Sequence, residues 1–313
     1  MTSGADLPQL HGGLVLTDGG LETCLIFHDG VELPHFAAFV LLRSEEGRAT
    51  LRRYYEPYLQ IAQKDRRGFI LESPTWRASA DWADRLGVSH AELAELNGAA
   101  IRLMQALRDE YKGRVSPLVV SGCVGPRGDG YDAGELMTAE AAEAYHANQI
   151  AAFAEAGADM ITAITMTNVP EAIGLARAAQ ALGAPVVISF TVETDGKLPT
   201  GQALGQAVRE VDAATGVWPA YYMVNCAHPT HFAQAFKAGA PWLERVRGLR
   251  ANASRRSHQD LNDAPDLDDG DPAELGAEHA DILRRLPQIK VLGGCCGTDH
   301  RHVAAMSRAC EPV

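Results

Sequence analysis

The chain repeats one pattern along its length: a short apolar, β-branched run is followed by a small or polar residue and then by a longer amphipathic stretch. We interpret each apolar run as a strand, because such runs bounded by turn-forming residues are typical of strands. The runs cover residues 14–20, 68–73, 116–123, 159–165, 185–192, 221–227, 248–254 and 289–297. Several of them are apolar throughout, which indicates strands that are covered on both faces.

The stretches between the runs predict helices. Clear examples cover residues 45–65, 89–111, 138–157 and 271–286. Ser89 has Glu92 three residues later, which is the spacing of a helix capping box.

Eight strands that alternate with helices favour a parallel α/β fold of the (β/α)8 TIM barrel type. We expect this barrel to form one domain over residues 1–313. The alternative is an open Rossmann-type sheet. Such sheets carry a glycine-rich phosphate loop, but Gly122, Gly125 and Gly128 do not have the G-x-G-x-x-G spacing. The sequence also has no Walker pattern, so nothing in it supports nucleotide binding.

Composition and charge narrow the classes of partner. The 313 residues are 46% hydrophobic and 22% charged, which is enough apolar material for a core that needs no disulfides. The formal net charge of −12 argues against nucleic acid and against anionic membranes as partners. We find neither an apolar run of about 18 residues nor a basic N-terminal region that leads into one, and therefore expect a cytoplasmic protein.

Residues 255–271 are polar, acidic and punctuated by proline and glycine. This composition predicts a long loop between the seventh strand and its helix. A solvated surface loop and a functional lid are both open interpretations.

In a (β/α)8 barrel, the carboxyl ends of the strands form the active site, so reactive residues at those ends carry the most weight. They are Asp18, Glu72, Cys123, Thr165, Ser189, Thr191, Asn225, Cys226, Asn252, Cys295 and Cys296. Three of these cysteines follow the sixth and eighth strands and would converge on one rim.

Cys226, Cys295 and Cys296 therefore suggest a metal site. A catalytic zinc ion has three protein ligands and an open fourth position, which matches three thiolates. The alternative is that they are small buried hydrophobes. We favour that alternative for the other three cysteines, Cys24, Cys123 and Cys310.

Four segments resemble the homocysteine S-methyltransferases. They are TDGGLET (17–23), VNCAHP (224–229), the loop at 251–276 and GGCCGTDHRHV (293–303). The resemblance spans nearly the whole chain, and the combination of Asn-Cys with a late Gly-Gly-Cys-Cys-Gly is specific to that family.

The resemblance implies a barrel that binds Zn²⁺ through the catalytic residues Cys226, Cys295 and Cys296 and transfers a methyl group to a thiol. Metal coordination would hold the acceptor as a thiolate, whereas a free thiol with a pKa of about 8.5 is mostly protonated at neutral pH. The partners implied are a small-molecule thiol, homocysteine, and a methyl donor, with methionine as the product.

The resemblance also implies substrate-binding residues. Asp18 would contact the amino group of the acceptor, although it could instead cap a turn. Gly19 and Gly20 would bring the backbone close to the substrate or simply shape the turn. Thr165 and Asn225 would be further substrate contacts.

Two segments depart from the family pattern. The fourth strand commonly ends in Glu-Thr, but here Ile164 precedes Thr165. The second strand commonly ends in a Thr-Asn-Thr-Tyr-like run, but here Glu72 and Trp76 occupy that region, and Glu72 could replace the missing carboxylate. A different thiol or selenol acceptor therefore remains an alternative, as does a zinc-binding barrel without catalysis.

Family donors are often sulfonium or quaternary ammonium compounds, which bind well against aromatic faces. Trp76 and Phe27 are possible walls for S-methylmethionine, S-adenosylmethionine or betaine. The length leaves no room for accessory modules, and we expect a monomer or a weak homodimer.

Overall fold

The computed structural model describes residues 6–236, 239–262, 264 and 266–310. Its parallel strands form a closed barrel in sequence order, in which β8 pairs with β1. The strands are β1 (Val15–Leu16), β2 (Gly68–Glu72), β3 (Leu118–Val124), β4 (Met160–Met166), β5 (Val186–Thr191), β6 (Tyr221–Asn225), β7 (Val246–Ala251) and β8 (Val291–Gly294). The predicted TIM barrel is confirmed, and the open-sheet alternative is wrong. The extent of a single domain over residues 1–313 stays a prediction.

Helices surround the barrel. They are α1 (Leu21–Thr23), α2 (Glu45–Lys64), α3 (Ala80–Arg85), α4 (His90–Tyr111), α5 (Ala139–Glu155), α6 (Val169–Ala181), α7 (Leu204–Thr215), α8 (Pro229–Phe232), α9 (His258–Asn262), α10 (Pro272–Arg285) and α11 (His300–Ala309). Shorter helical turns cover Pro8–Leu10, Cys24–His28, Pro34–Phe36, Ala38–Arg43 and Pro241–Arg245. The four helices predicted from the sequence are present, each within two residues of the expected bounds.

The start of α4 follows the sequence prediction only in part. The Ser89 hydroxyl accepts a hydrogen bond from the Glu92 backbone N–H, as an N-cap does. The Glu92 carboxylate, however, accepts a hydrogen bond from Arg43 Nε at 2.7 Å. The reciprocal half of the capping box is therefore replaced by an ion pair.

The lower half of the barrel interior, toward the amino ends of the strands, is apolar. Alternate residues of a strand point to the same side of a sheet, so one set of positions fills the interior. This set includes Val15, Ile70, Val119, Val187 and Val291.

The N-terminal segment closes the amino end of the barrel. Leu7 packs into the interior cluster, and Gln9 is fully buried. Gln9 Nε2 donates a hydrogen bond to the Tyr221 hydroxyl at 3.2 Å. This arrangement forms a floor below the interior side chains.

The upper half of the interior, toward the carboxyl ends, is polar. Ser121 and Thr162 share a hydrogen bond of 2.7 Å between their hydroxyls. Glu72 and Arg250 lie at the same end, and each is less than a tenth exposed. The interior thus changes from apolar to charged along its axis, which places ionisable groups where a ligand would enter.

The segment 255–271 contains a short helix, α9, which the sequence did not predict. A hydrogen bond of 2.7 Å from Ser254 Oγ to Asp268 brings the two ends of the segment together. A second hydrogen bond of 2.7 Å, from Arg301 to Asp269, joins the end of the segment to α11. Residues 263 and 265 lie outside the described residues. Across the helices that the structure describes, none has the length and apolar character needed to cross a membrane.

Asp299 caps α11 immediately after the glycine-cysteine turn. Its carboxylate accepts hydrogen bonds from Arg301 N and Arg301 Nε, both at 2.8 Å. Burial alone would raise the pKa of Asp299, but its contacts with His302 and Arg301 hold it well below its usual range.

We expect Asp299→Ala to lower the free energy of unfolding by about 1–3 kcal/mol at neutral pH, because it removes both a cap and a charge-assisted hydrogen bond. A depressed carboxyl pKa stabilises the fold above the pKa of the unfolded chain, so this contribution should disappear as the pH falls below about 4. Urea unfolding at pH 7 and at lower pH measures the difference. Asp299→Asn keeps a hydrogen-bond acceptor, so its free energy of unfolding should lie between those of the unmodified protein and Asp299→Ala. Equal stability of the three proteins at pH 7 would contradict the capping role of Asp299.

Candidate active site

Cys226, Cys295 and Cys296 meet at the carboxyl end of the barrel. Cys226 follows β6, and the other two follow β8. The three sulfur atoms lie within 4.8 Å of one another. Cys226 Sγ lies 3.9 Å from Cys296 Sγ, and Cys226 and Cys295 form a disulfide in this structure. The sequence prediction that these cysteines converge on one rim is therefore confirmed.

With the disulfide between Cys226 and Cys295 reduced, this donor set fits a zinc ion. With Zn–S bonds of about 2.3 Å, tetrahedral geometry separates sulfur ligands by about 3.8 Å. The distance between Cys226 Sγ and Cys296 Sγ is 3.9 Å. All three cysteines also line a cavity, so that an ion held by their reduced thiolates would face the space where a ligand binds. The remaining cysteines, Cys24, Cys123 and Cys310, are buried outside this cluster.

Asn225 holds the ends of β4 and β6 together. Its Oδ1 accepts hydrogen bonds from Thr165 N at 2.9 Å and from Ser189 Oγ at 2.6 Å, and its Nδ2 donates to Thr165 Oγ1 at 2.8 Å. Thr165 and Cys226 have φ angles of 65° and 51°, a left-handed conformation that costs a residue with a Cβ atom about 1–2 kcal/mol. The Asn225 amide therefore stabilises strained backbone beside the cysteines, and its substrate contact stays a prediction.

Tyr131 and His258 form a second layer behind the cysteines. The Tyr131 hydroxyl lies 3.1 Å from Cys296 Sγ, and its ring stacks on His258 with 4.0 Å between centroids. His258 Nε2 contacts the Cys226 carbonyl at 2.5 Å, and its Nδ1 lies 3.0 Å from Glu193. Because His258 belongs to α9, the segment 255–271 contributes to the layer behind the cysteines. The sequence analysis missed both residues, since loop side chains have no periodicity that predicts their direction.

The cavity above the barrel has a volume of about 380 Å³. Its lining includes the three cysteines and the predicted contacts Asp18, Gly19, Gly20, Glu72, Trp76 and Thr165. It also includes Ile164 at the position where the sequence lacks a carboxylate. The charged side chains in the lining are Asp18, Glu22, Glu72, Arg77, Asp129 and Arg250.

Arg250 is the centre of a buried ion cluster. Its Nη2 donates a hydrogen bond to Asp18 Oδ1 at 2.8 Å, and its Nη1 lies 4.0 Å from Glu72 Oε1. Tyr54 donates a further hydrogen bond to Asp18 Oδ2 at 3.0 Å. Burial raises the pKa of Glu72 to about 7, although Arg250 opposes the shift. Burial would lower the pKa of Arg250, but Asp18 and Glu72 reverse that effect and raise it.

This cluster changes the expectation for Asp18 and Glu72. Both carboxylates line the cavity as predicted, but both face a guanidinium of the protein. Neither is a free counterion for a substrate ammonium in this arrangement, and their substrate contacts stay predictions. The sequence analysis missed Arg250, which could have been noticed as a charged residue within an otherwise apolar run.

Gly19 and Gly20 are required by the packing of their turn. A Cβ atom on Gly19 would lie 2.6 Å from the Thr298 carbonyl oxygen, and one on Gly20 would lie 2.6 Å from the Cys295 carbonyl oxygen. The turn is thereby pressed against the turn that carries the cysteines. The close backbone approach is to this second turn, which supports the turn-shaping interpretation of the two glycines.

Aromatic side chains form part of the cavity wall. Trp76 lines it as predicted and donates a hydrogen bond from Nε1 to the Ile164 carbonyl at 3.3 Å. Phe27 is 45% exposed and does not belong to the lining, so its proposed role as a wall is wrong. The local chain turns through Cys24–His28, and Phe36 lines the cavity from the following segment instead.

Comparison with known proteins identifies the relatives of the chain. The family model described as "Homocysteine S-methyltransferase" matches residues 15–310. "Homocysteine S-methyltransferase 1" of Arabidopsis thaliana is 22% identical, over 97% of this chain and 95% of the relative. "Homocysteine S-methyltransferase" of Escherichia coli (strain K12) is 26% identical, over 70% of this chain and 73% of the relative.

Solved structures show the same fold. The metallated form of the homocysteine methyltransferase MmuM from Escherichia coli superposes with a TM-score of 0.71 at 21% identity, over 95% of this chain and 96% of that one. Its oxidised form gives a TM-score of 0.71 at 22% identity, over 94% of this chain and 95% of that one.

Proposed function

The chain belongs to the homocysteine S-methyltransferase family, and from this premise we propose that it transfers a methyl group to the sulfur of homocysteine at a zinc site formed by Cys226, Cys295 and Cys296. Membership follows from the family model, which matches residues 15–310, and family members are methyltransferases. The observation that carries the proposal is the convergence of three cysteine sulfurs within 4.8 Å at the edge of a cavity.

The reduced thiolates of the three cysteines would hold the ion. When bound, zinc would supply a coordinated substrate thiolate at neutral pH, because metal coordination deprotonates a thiol. In the overall reaction, the acceptor sulfur forms a bond to the methyl carbon while the bond from that carbon to the donor sulfur or nitrogen breaks. The donor leaves as a neutral amine or thioether, and the acceptor thiol loses its proton.

The protein side chains supply position and exclusion of water. Asn225 fixes the backbone that carries Cys226, and the Tyr131 hydroxyl contacts Cys296 at 3.1 Å. Partners of this kind orient ligands and typically affect metal affinity or activity by about 10–100-fold. The cavity of about 380 Å³ is large enough for an amino acid and encloses the reacting atoms on the barrel side.

The donor in this proposal is a cation. The lining has four acidic side chains and two guanidiniums, an excess of acidic groups that favours a sulfonium or a quaternary ammonium compound. Trp76, Tyr131 and Phe36 supply aromatic surface for such a group. Arg77 already lies 4.3 Å from the Trp76 ring centroid and covers one of its faces.

An assay with four donors tests the function. The reduced, zinc-loaded protein is mixed with homocysteine that carries ¹³C in its carbon chain and with S-methylmethionine, S-adenosylmethionine, betaine or dimethylsulfoniopropionate, each carrying deuterated methyl groups. We expect, with at least one donor, methionine that carries both the ¹³C chain and a deuterated methyl group, detected by mass spectrometry. A yield that never exceeds the enzyme-free control with any donor would reject the proposed reaction.

A second acceptor remains a candidate because Ile164 lines the cavity where the family commonly has a carboxylate. The same chemistry could then act on another thiol or on a selenol. Adding selenohomocysteine and simple alkyl thiols to the assay separates this alternative from homocysteine methylation. Zinc at about one per chain without turnover of any acceptor would instead favour a non-catalytic zinc-binding barrel.

A further inference from the structure

The charged groups of the cavity differ in whether the protein already pairs them. Asp18 and Glu72 face Arg250. Asp129 accepts a hydrogen bond from Tyr131 N at 2.7 Å and lies 4.0 Å from Arg77. After these pairs are assigned, Glu22 is the remaining charged side chain of the lining, and within the described residues it forms no ion pair, its carboxylate accepting only its own backbone N–H.

Glu22 is held beside the cysteines by its neighbours in the chain. Leu21 and Thr23 are buried on either side of it, and Thr23 Oγ1 accepts a hydrogen bond from Gly297 N at 3.3 Å. Glu22 itself is half-buried and lines the cavity. Burial raises its pKa to about 7, and Asp18 adds to the shift. An ammonium group bound beside Glu22 would oppose this shift and favour the ionised carboxylate, without displacing a cation of the protein.

Arg77 offers the opposite charge in the same lining. It is 8% exposed, and its guanidinium carbon lies 3.8 Å from the Trp82 ring centroid and 4.3 Å from that of Trp76. Its Nη1 donates to the Gly128 carbonyl at 2.8 Å, whereas its buried Nε has no hydrogen-bond partner. The two aromatic rings fix the guanidinium plane, so little side-chain freedom remains to be lost on binding an anion.

We propose that Glu22 and Arg77 bind the ammonium and carboxylate groups of a zwitterionic amino acid acceptor, and that Asp18 and Glu72 remain paired with Arg250. A free α-amino acid carries both charges, and the lining contains one carboxylate outside its ion pairs and one guanidinium whose contact with Asp129 is 4.0 Å long. This inference rests on the proposed function, because it takes the acceptor thiol to lie at the cysteine cluster. It specifies the acceptor as an amino acid rather than a simple thiol.

Acceptors that lack one charge test each residue separately. Homocysteine is compared with 4-sulfanylbutanoate, which lacks the amino group, and with 3-sulfanylpropan-1-amine, which lacks the carboxylate. The variants are Glu22→Gln and Arg77→Met. The controls are Glu32→Gln and Arg85→Met. Glu32 is exposed, and Arg85 stacks on Trp82 at 4.6 Å, but neither residue lines the cavity.

We expect Glu22→Gln to lower kcat/KM for homocysteine by about 10–100-fold, the range for a lost hydrogen bond to a charged group, and to leave 4-sulfanylbutanoate within about twofold. Arg77→Met should lower kcat/KM for homocysteine similarly and leave 3-sulfanylpropan-1-amine unchanged. The control variants should resemble the unmodified protein with every acceptor. Equal losses with charged and truncated acceptors, or no loss with either variant, would overturn the assignment.

Calorimetric binding of methionine to the zinc-loaded protein gives a readout that needs no turnover. Weaker binding by Glu22→Gln and Arg77→Met, with normal binding by both controls, supports the amino acid site even if no donor is active and the proposed reaction fails. Normal binding by both variants overturns the site even if the protein methylates homocysteine. The two proposals can therefore fail independently.

Discussion

Replacing Cys295 by alanine is expected to lower zinc from about one ion per chain to less than about a tenth and to abolish methyl transfer, at least a thousandfold, because a zinc site with three protein ligands loses one of them. The Cys295 sulfur is bonded to that of Cys226 in this structure and becomes a ligand in the reduced protein. The measurement is metal analysis of the reduced, dialysed protein beside the donor assay.

The matched control is Cys310→Ala. Cys310 is buried at the end of α11, away from the cluster, and its replacement removes a more deeply buried sulfur without touching the site. This variant should retain zinc and activity. Full zinc content in Cys295→Ala would remove the basis for the metal site and for the proposed reaction together.

Replacing Arg250 by methionine should cause the largest loss of stability, about 3–5 kcal/mol in the free energy of unfolding, because it leaves two buried carboxylates without their counterion. Asp18 lies 2.8 Å from the guanidinium and Glu72 lies 4.0 Å from it. Urea unfolding followed by circular dichroism measures the loss. Arg247→Met, on the same strand but half-exposed, should change the stability by less than about 1 kcal/mol.

The loss should depend on pH in a defined direction. Burial raises the pKa values of Asp18 and Glu72, and the positive charge of Arg250 opposes this effect. Without Arg250, both pKa values in the folded state rise further above those of the unfolded chain. A raised carboxyl pKa favours the folded state at low pH, and this advantage is lost as the pH rises from about 4 toward the folded value. Arg250→Met should therefore be less impaired at pH 5 than at pH 8. Adding Glu72→Gln to the Arg250→Met protein removes one buried charge and should recover part of the free energy of unfolding. A loss that does not depend on pH and is not recovered by Glu72→Gln would contradict the ion-cluster explanation.

The fold was predictable because its determinants are local. Each of the eight apolar runs is long enough to be a strand, and short parallel strands that alternate with helices have few ways to bury both faces. The bounds were less certain, and β1 is only the two residues Val15–Leu16 although the sequence suggested 14–20. The carboxyl half of that run forms the Asp-Gly-Gly turn, which packs against the cysteine turn instead of extending the strand.

The cysteine cluster was predictable for a similar reason, since every strand of a barrel ends at the same rim. The charged groups that distinguish this cavity were not. Arg250 points inward because of its position in the alternation along β7, and the register of β7 against β6 shifts between Tyr222 and Met223. Glu22 and Arg77 lie outside the strands, so their directions depend on tertiary packing that no periodic pattern records.

The floor formed by Leu7, Gln9 and Tyr221 also constrains the kinetics of the proposed reaction. With the amino end of the barrel filled, donor and acceptor reach the cysteines through the same mouth, and both products leave through it. The ligand that binds deeper must arrive first and depart last. An acceptor anchored at the cysteine cluster would thus bind before the donor, and an inert donor analogue would trap the acceptor beneath it, which gives uncompetitive inhibition with respect to the acceptor.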